Sequence, residues 1–258
     1  MKFACITLSF NQDQFLQEAI TSIREQFSSM DYVIYDPGSK DDSRSIALSN
    51  RDSSTRVLFV DGDAGPSDGL NRALDVVDGD IFYYLNADDR VLPGAFVFAE
   101  KYFLENPKCD VLHGSIEIIN KGGHVLRTLP VMKFSLRGRA LNYAFVYQQA
   151  TFIRMKALKA IRFNTSNRIS WDAELIVDLA LQGAEIHSTK MVLGQFRIYD
   201  ESITGSPDYQ NLVETQNIIL SRRILGRSLT RYETFMGINI RYVKAIARRI
   251  WPRIKYLP

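Results

Sequence analysis

Residues 79–89 read Gly79-Asp80-Ile81-Phe82-Tyr83-Tyr84-Leu85-Asn86-Ala87-Asp88-Asp89. Five apolar or aromatic residues in a row, bounded by a Gly-Asp turn and an Asn-Ala-Asp-Asp stop, predict a buried strand over 81–85. Two adjacent carboxylates directly after that strand invite a divalent cation, because hard ions such as Mg2+ or Mn2+ take oxygen ligands. A solvated turn capping the next helix is the competing account of the same residues.

The segments on the N-terminal side repeat this alternation. Phe3 to Phe10 is a short apolar run, followed by Phe15, Leu16, Ala19, Ile20 and Ile23 at helical spacing. Tyr32 to Tyr35 is a second strand closed by Asp36-Pro37-Gly38-Ser39, and Asp41, Asp42 or Ser43 can cap a helix carrying Ile46 and Ala47. Val57 to Val60 is a third strand, Leu70, Ala73, Leu74 and Val77 line a helix, and Pro93-Gly94 opens another running to about Leu104. Strands separated by helices of this length imply right-handed βαβ units and a parallel sheet. Ligands of such sheets bind beyond the carboxyl ends of the strands. Here those ends carry Asn11, Asp36, Asp61, Asp63, Asp88 and Asp89.

Downstream the pattern changes. Val111 to Asn120 and His124 to Leu129 flank Lys121-Gly122-Gly123 and read as a hairpin. Residues 133–144 look irregular, Phe145 to Ile153 reads as a strand and Lys156 to Ile161 as a short helix. Ser170 to Glu174 opens a helix stopped by Gly183, and Ile186 to Ile198 is mostly strand. From Asp208 the pattern is helical to the end, with interruptions at Gly226 and Gly237.

Composition limits the function classes. With 258 residues, 46% hydrophobic and 24% charged, the chain builds a full core and is neither disordered nor fibrous. Two cysteines, Cys5 and Cys109, rule out a disulfide scaffold, and without a CxxC pair no cysteine zinc site is expected; both suit buried strand positions. His113, His124 and His187 lack ligand-like spacing, and no GxGxxG, GxxxxGK[ST] or HExxH occurs. No apolar run approaches the roughly 20 residues that span a bilayer. The first apolar run is too short for a signal peptide, so the expected location is cytoplasmic.

The net charge of +3 hides a segregation. Residues 222–258 hold ten Lys/Arg and one acid, and residues 1–221 hold 22 bases and 28 acids. In the tail, Ile238, Ile240, Val243, Ile246, Ala247, Ile250 and Trp251 interleave with Arg241, Lys244, Arg248 and Arg249. That pattern suits a basic amphipathic helix on an anionic membrane surface, or a helix packed on the body with a solvated basic face. The acidic body and the lack of a binding motif argue against nucleic acid.

Two further segments carry chemistry-bearing side chains. Asp68, Asn71 and Arg72 share one face of a helix start; Arg72 can hold a phosphate or pair with Asp68 or Asp75. Asp172 and Glu174 begin an amphipathic helix, whose dipole lowers a carboxylate pKa. Asp172 is a cap, or a general base if it faces the crevice.

The order of these segments resembles the family 2 glycosyltransferases, which have the GT-A fold. The carrying residues are 6–12, 33–43, 65–73, 79–89, 148–152, 171–175, 196–199 and Ser202-Ile203-Thr204. The resemblance covers about residues 1–205. It implies a Rossmann-like, mostly parallel central sheet flanked by helices, with a nucleotide-binding half at about 1–107 and an acceptor half at about 108–205. Residues 206–258 are a basic helical C-terminal extension outside the match.

The resemblance also implies inverting transfer of a sugar from a nucleotide-diphosphate-sugar, a UDP-sugar favoured, with Mn2+ or Mg2+. Thr7, Ser9 and Asn11 would lie along the nucleotide, with Asp36 and Ser39 at the base or ribose. Asp68 and Arg72 would lie near the sugar or diphosphate. Asp88 and Asp89 match the DXD element that holds the metal on the diphosphate, and Asn86 with Asp88 would contact the nucleotide-sugar. Asp172 matches the catalytic base, and Gln149, Trp171 and Glu174 fall in the acceptor region. The implied acceptor is a glycan or lipid-linked glycan of cell-envelope polysaccharide or lipopolysaccharide assembly, reached from the inner face of the cytoplasmic membrane.

Three positions depart from the pattern: Pro37 where many relatives have Asp or Gly, Asp178 where Arg is usual, and Tyr199 where relatives often have His near the metal. The departures at Asp178 and Tyr199 leave a non-catalytic sugar-nucleotide-binding or scaffold protein as an alternative. A nucleotidyltransferase is a further alternative. It would usually carry a Gly-rich, Arg-containing loop where this chain has Ser9-Phe10-Asn11-Gln12-Asp13.

Overall fold

The computed structural model describes residues 1–26, 28–158, 161–200 and 209–240. Four strands, β1 (Phe3–Leu8), β2 (Met30–Asp36), β3 (Thr55–Phe59) and β4 (Ile81–Asn86), run parallel in the order β3-β2-β1-β4. The connecting helices are α1 (Asp13–Arg24), α2 (Ser43–Ser49) and α3 (Pro66–Leu74). The short β5 (Arg90–Val91) and α4 (Ala95–Glu105) follow β4.

Both faces of this block are buried, which is why its strands are continuously apolar. The two-residue period of a strand divides the core. Phe3, Cys5, Tyr32, Ile34, Tyr83 and Leu85 meet α1 and α4 residues such as Leu16, Ile20 and Phe96. Ala4, Ile6, Val33, Tyr35, Phe82 and Tyr84 lie in a second cluster with Leu70 and Ala73 of α3.

The second half is mixed. It comprises β6 (Val111–Ile119), β7 (Val125–Leu129), α5 (Leu136–Ala140), a 3-10 turn at Gln148–Ala150, β8 (Thr151–Arg154), α6 (Met155–Leu158), α7 (Trp171–Leu181), β9 (Ile186–Arg197) and α8 (Tyr209–Leu225). β8 joins the halves, antiparallel to both β4 and β6. β6 runs parallel to β9, β5 pairs with β9, and β7 forms the expected hairpin with β6. The carboxyl ends of β1, β2 and β4 therefore face a wall made by β6, β7 and β9.

Three local expectations are corrected. The segment read as a strand over 145–153 turns at Gln148–Ala150 before β8 begins, and the Tyr83 hydroxyl donates to the Gln149 carbonyl there. The segment read as irregular over 133–144 holds α5, whose first turn is capped by Ser135 Oγ accepting from the Gly138 N–H. Gly237 does not interrupt the tail: residues 231–240 are helical, and a Cβ at 237 would collide with the Leu141 carbonyl. Glycine there permits close approach of the helix to the body.

α8 is fastened to α5 and α7. Ser221 Oγ donates to the Ala140 carbonyl at 2.7 Å, and Arg139 donates to Asn217 at 2.8 Å. Arg223 pairs with Glu174 at 2.9 Å and Asp178 at 2.7 Å. The tail residues Val243, Ile246, Ala247, Ile250 and Trp251, their interleaved cations, and Ser202-Ile203-Thr204 lie outside the described residues.

Candidate active site

A cavity of about 970 Å³ opens where the two halves meet. Ser9, Pro37, Asp63, Gly65, Asn86 and Asp88 line one side, from the carboxyl ends of the strands. Gln149, Arg168, Trp171, Asp172 and Tyr199 line the other. The structure thus brings Ser9, Asn86, Asp88, Gln149, Trp171 and Asp172 together, all six being candidates read from the sequence.

The Asp88-Asp89 turn is divided in use. Asp88 faces the cavity, where the Tyr199 hydroxyl donates to its Oδ2 at 3.0 Å. Burial pushes its carboxyl above the ordinary range, against the Tyr199 hydrogen bond. Asp89, expected beside it on a metal, is only 1% exposed and off the cavity wall. Both Asp89 oxygens are occupied: Oδ2 by Gln149 Nε2 at 2.8 Å and Oδ1 by the Arg197 N–H at 2.9 Å. Burial and the adjacent Asp88 push Asp89 well above the ordinary carboxylate range. Asp89 thus braces the turn, and Gln149, expected to face the acceptor, spends its amide on that brace.

Arg197 completes the brace and received no role from the sequence. It is 1% exposed. Its Nε donates to the Asp88 carbonyl at 2.7 Å, Nη1 to the Lys121 carbonyl at 2.8 Å and Nη2 to Glu18 at 2.6 Å. The Phe15 ring lies 4.5 Å from its guanidinium carbon. The alternating pattern of β9 foretells a side chain on one face, but not the carbonyls that converge on it.

Asp172 is the second residue of α7 and lines the cavity. The dipole was expected to lower its pKa; instead burial raises it, outweighing the Ala173 N–H and the Arg139 charge.

Other sequence candidates are turned to structural work. Thr7 is fully buried and hydrogen-bonded to the Tyr32 hydroxyl at 2.7 Å, away from the cavity. Asn11 (φ +52°) accepts from the Lys40 N–H, and its own N–H donates to Ser39 Oγ, joining the first two strand-end loops. Asp36 Oδ1 accepts from the Gly38 and Ser39 N–H groups at 2.9 and 2.8 Å and from Arg44. Its buried Oδ2 has no partner, and neither has Ser9 Oγ. Arg72 makes a half-exposed pair with Asp68 at 2.9 Å and does not reach the cavity. Glu174 points from α7 to Asn164, Asn167 and Arg223, not toward an acceptor. Helical geometry explains this, since residues 172 and 174 project about 200° apart.

Two cations missed from the sequence line the cavity, Arg127 of β7 and Arg168 before α7. Isolated arginines on a hairpin and a loop give no sequence signal.

The donor chemistry at Asp88 suits a hard cation held largely by substrate. The cavity wall offers the Asp88 carboxylate and the Asn86 amide oxygen. Among the described residues no cluster of three or more His, Cys, Asp or Glu exists. Mg2+ is commonly bound by one or two carboxylates plus substrate phosphates.

The architecture is that of a GT-A protein. The family model for glycosyl transferase family 2 matches residues 4–167, and the chain belongs to that family. It is 25% identical to an uncharacterized glycosyltransferase of Rickettsia felis over 92% of this chain and 42% of that one. It is 30% identical to the GalNAc(5)-diNAcBac-PP-undecaprenol beta-1,3-glucosyltransferase of Campylobacter jejuni over 36% of this chain and 32% of that one. The chain spans less than half the length of these curated relatives. Among solved structures it resembles S. aureus TarS 1–349 in complex with UDP-GlcNAc, with TM-score 0.69 and 17% identity over 97% of this chain and 73% of that one. It also resembles the mannosyltransferase PcManGT of Pyrobaculum calidifontis in complex with GDP-Man and Mn2+, with TM-score 0.68 and 14% identity over 91% of this chain and 68% of that one.

Proposed function

We propose that the chain is an inverting glycosyltransferase that moves a sugar from a nucleotide-diphosphate-sugar to an acceptor hydroxyl. The observation that carries this is the shared cavity of Asp88 and Asp172, one at a strand end and one at a helix start. Asp172 removes the acceptor proton as that oxygen bonds the anomeric carbon, while the bond to the diphosphate breaks and its oxygen keeps the electron pair. A carboxylate raised by burial is a stronger base once ionised, which suits this role. Arg168, exposed on the cavity wall, is available to the leaving diphosphate. Ser9 Oγ, on the cavity wall and unsatisfied, is suited to a ribose or base.

A Mn2+ or Mg2+ ion, when bound, supplies Lewis-acid assistance to the departing diphosphate. Asp88 and Asn86 would hold it; the Mn2+ named with PcManGT supports a divalent ion here. UDP is the favoured nucleotide, and the acceptor is a glycan or lipid-linked glycan in cell-envelope polysaccharide assembly. The proposed setting is the cytoplasm, with residues 226–258 on an anionic membrane surface. Residues 1–205 form the catalytic unit and 206–258 its extension. A thermal-shift screen of UDP-, GDP- and dTDP-sugars, with and without Mn2+, tests the donor: stabilisation by one nucleotide class that grows with Mn2+ supports it. No shift with any of them contradicts it.

A further inference from the structure

We infer that Arg139 is a positioning residue for Asp172: a buried guanidinium, held from α8, whose charge acts on the carboxylate proposed as the base. The inference rests on the transferase reading only for what Asp172 does; the coupling of the two charges is independent of it. Arg139 lies on α5, which packs against both α7 and α8. It is 3% exposed. Nη1 donates to Asn142 Oδ1 at 2.9 Å and Nη2 to Asn217 Oδ1 at 2.8 Å, while the buried Nε has no partner. Asn142 takes a left-handed backbone (φ +57°) just past α5, a conformation asparagine tolerates. The Phe145 ring lies 5.6 Å from the guanidinium carbon, and Phe145 and Asp172 line the same cavity.

A buried cation is ordinarily paired with a carboxylate. Among the described residues none pairs with Arg139. Its partners are two neutral amide oxygens, which satisfy donors without balancing charge. Asp172 is the acid whose charge it feels, and Arg139 is in turn the charged side chain that acts on Asp172. The phenols of Tyr84 from β4 and Tyr209 from α8 also face Asp172, and burial together with its charge holds both protonated. Arg223 of α8 is spent on Glu174 and Asp178, and Asp88 and Arg168 line the same cavity. Burial drives Asp172 toward the neutral acid, and the fixed cation offsets part of that drive. It does so with no hydrogen bond to the carboxylate, whose oxygens an acceptor hydroxyl needs. Through Asn217 the C-terminal extension takes part in setting the base.

The test is an NMR titration of the whole chain, isotope-labelled at its aspartate carboxyl carbons, without donor or metal. The Asp172 signal is assigned by its loss in Asp172→Asn. Arg139→Met is expected to move the Asp172 midpoint up by about one pH unit, roughly a tenfold change in acid dissociation. Arg139→Lys keeps the charge and is expected to recover most of that shift. Asn217→Ala frees the guanidinium from α8 and is expected to move the midpoint the same way by less. A midpoint that stays in place in folded Arg139→Met, or that is equal in Arg139→Met and Arg139→Lys, overturns the inference. Where Arg139→Met does not fold, an unmoved midpoint in Asn217→Ala overturns it. A merely structural role for Arg139 lowers stability in denaturant titration and leaves the midpoint where it was. Once a donor is identified, the acid limb of nucleotide release is expected to follow the midpoint through the variants. A midpoint that moves while the limb stays counts against Asp172 as the base and leaves the coupling standing.

Discussion

At the residue scale, two neighbouring carboxylates do different work because their surroundings differ. Asp88 faces the cavity, and Asp89 is consumed by Gln149 and the Arg197 backbone. Sequence spacing shows the pair but not the division, since the partners come from β9 and the 3-10 turn, far along the chain. Removing Arg197 leaves the Asp88 carbonyl and other buried acceptors unmatched. Arg197→Met is therefore expected to lower stability by on the order of 3 kcal/mol in denaturant titration. A second residue-scale effect concerns His113, fully buried with neither ring nitrogen partnered. Burial lowers its pKa from 6.5 to about 4. The native state thus resists protonation where the unfolded chain accepts it, so stability is present above pH 6.5 and lost as pH falls toward 4. The loss amounts to roughly 3 kcal/mol, and His113→Leu is expected to flatten it in denaturant melts taken across that range.

At the element scale, the parallel block was legible because strand and helix periods alternate cleanly over residues 1–105. The segment from 133 to 153 was not. Its shape depends on contacts that no local pattern reports, such as β9 pressing on the 3-10 turn. A Cβ at Gly194 would collide with the Gln149 carbonyl, so Gly194 sets how close β9 comes to the residue bracing Asp89. Gly194→Ala is expected to destabilise by about 1–3 kcal/mol and to disturb donor binding, measured by calorimetric unfolding and by donor titration. The helix bearing Asp172 is held in place by α8 through Arg223, which pairs with Glu174 and Asp178 one turn apart. That pairing gives Asp178, a departure from the family pattern, a structural reason. It also explains why Glu174, read as an acceptor residue, is not on the cavity.

At the scale of the whole molecule, the segregated charge acquires a structural setting. Gly237 turns inward against Leu141, while Tyr232, Phe235 and Ile238 are 69%, 63% and 51% exposed on the outward face beside Arg231. Among the described residues no helix is long and apolar enough to cross a membrane. An apolar strip with basic neighbours suits lying on an anionic surface. Replacing Tyr232, Phe235 and Ile238 together by Ser is expected to reduce cosedimentation with anionic phospholipid vesicles about tenfold or more. Unchanged sedimentation contradicts that setting.

The central claim is that Asp172 is the base of a sugar transfer from a nucleotide donor. The most direct measurement compares nucleotide release and donor affinity for the wild type and Asp172→Asn with the donor found by the screen. The account predicts release slowed about 10²–10⁴-fold with donor affinity within about twofold, and a wild-type acid limb above the ordinary carboxylate range. Undiminished release by Asp172→Asn would contradict it.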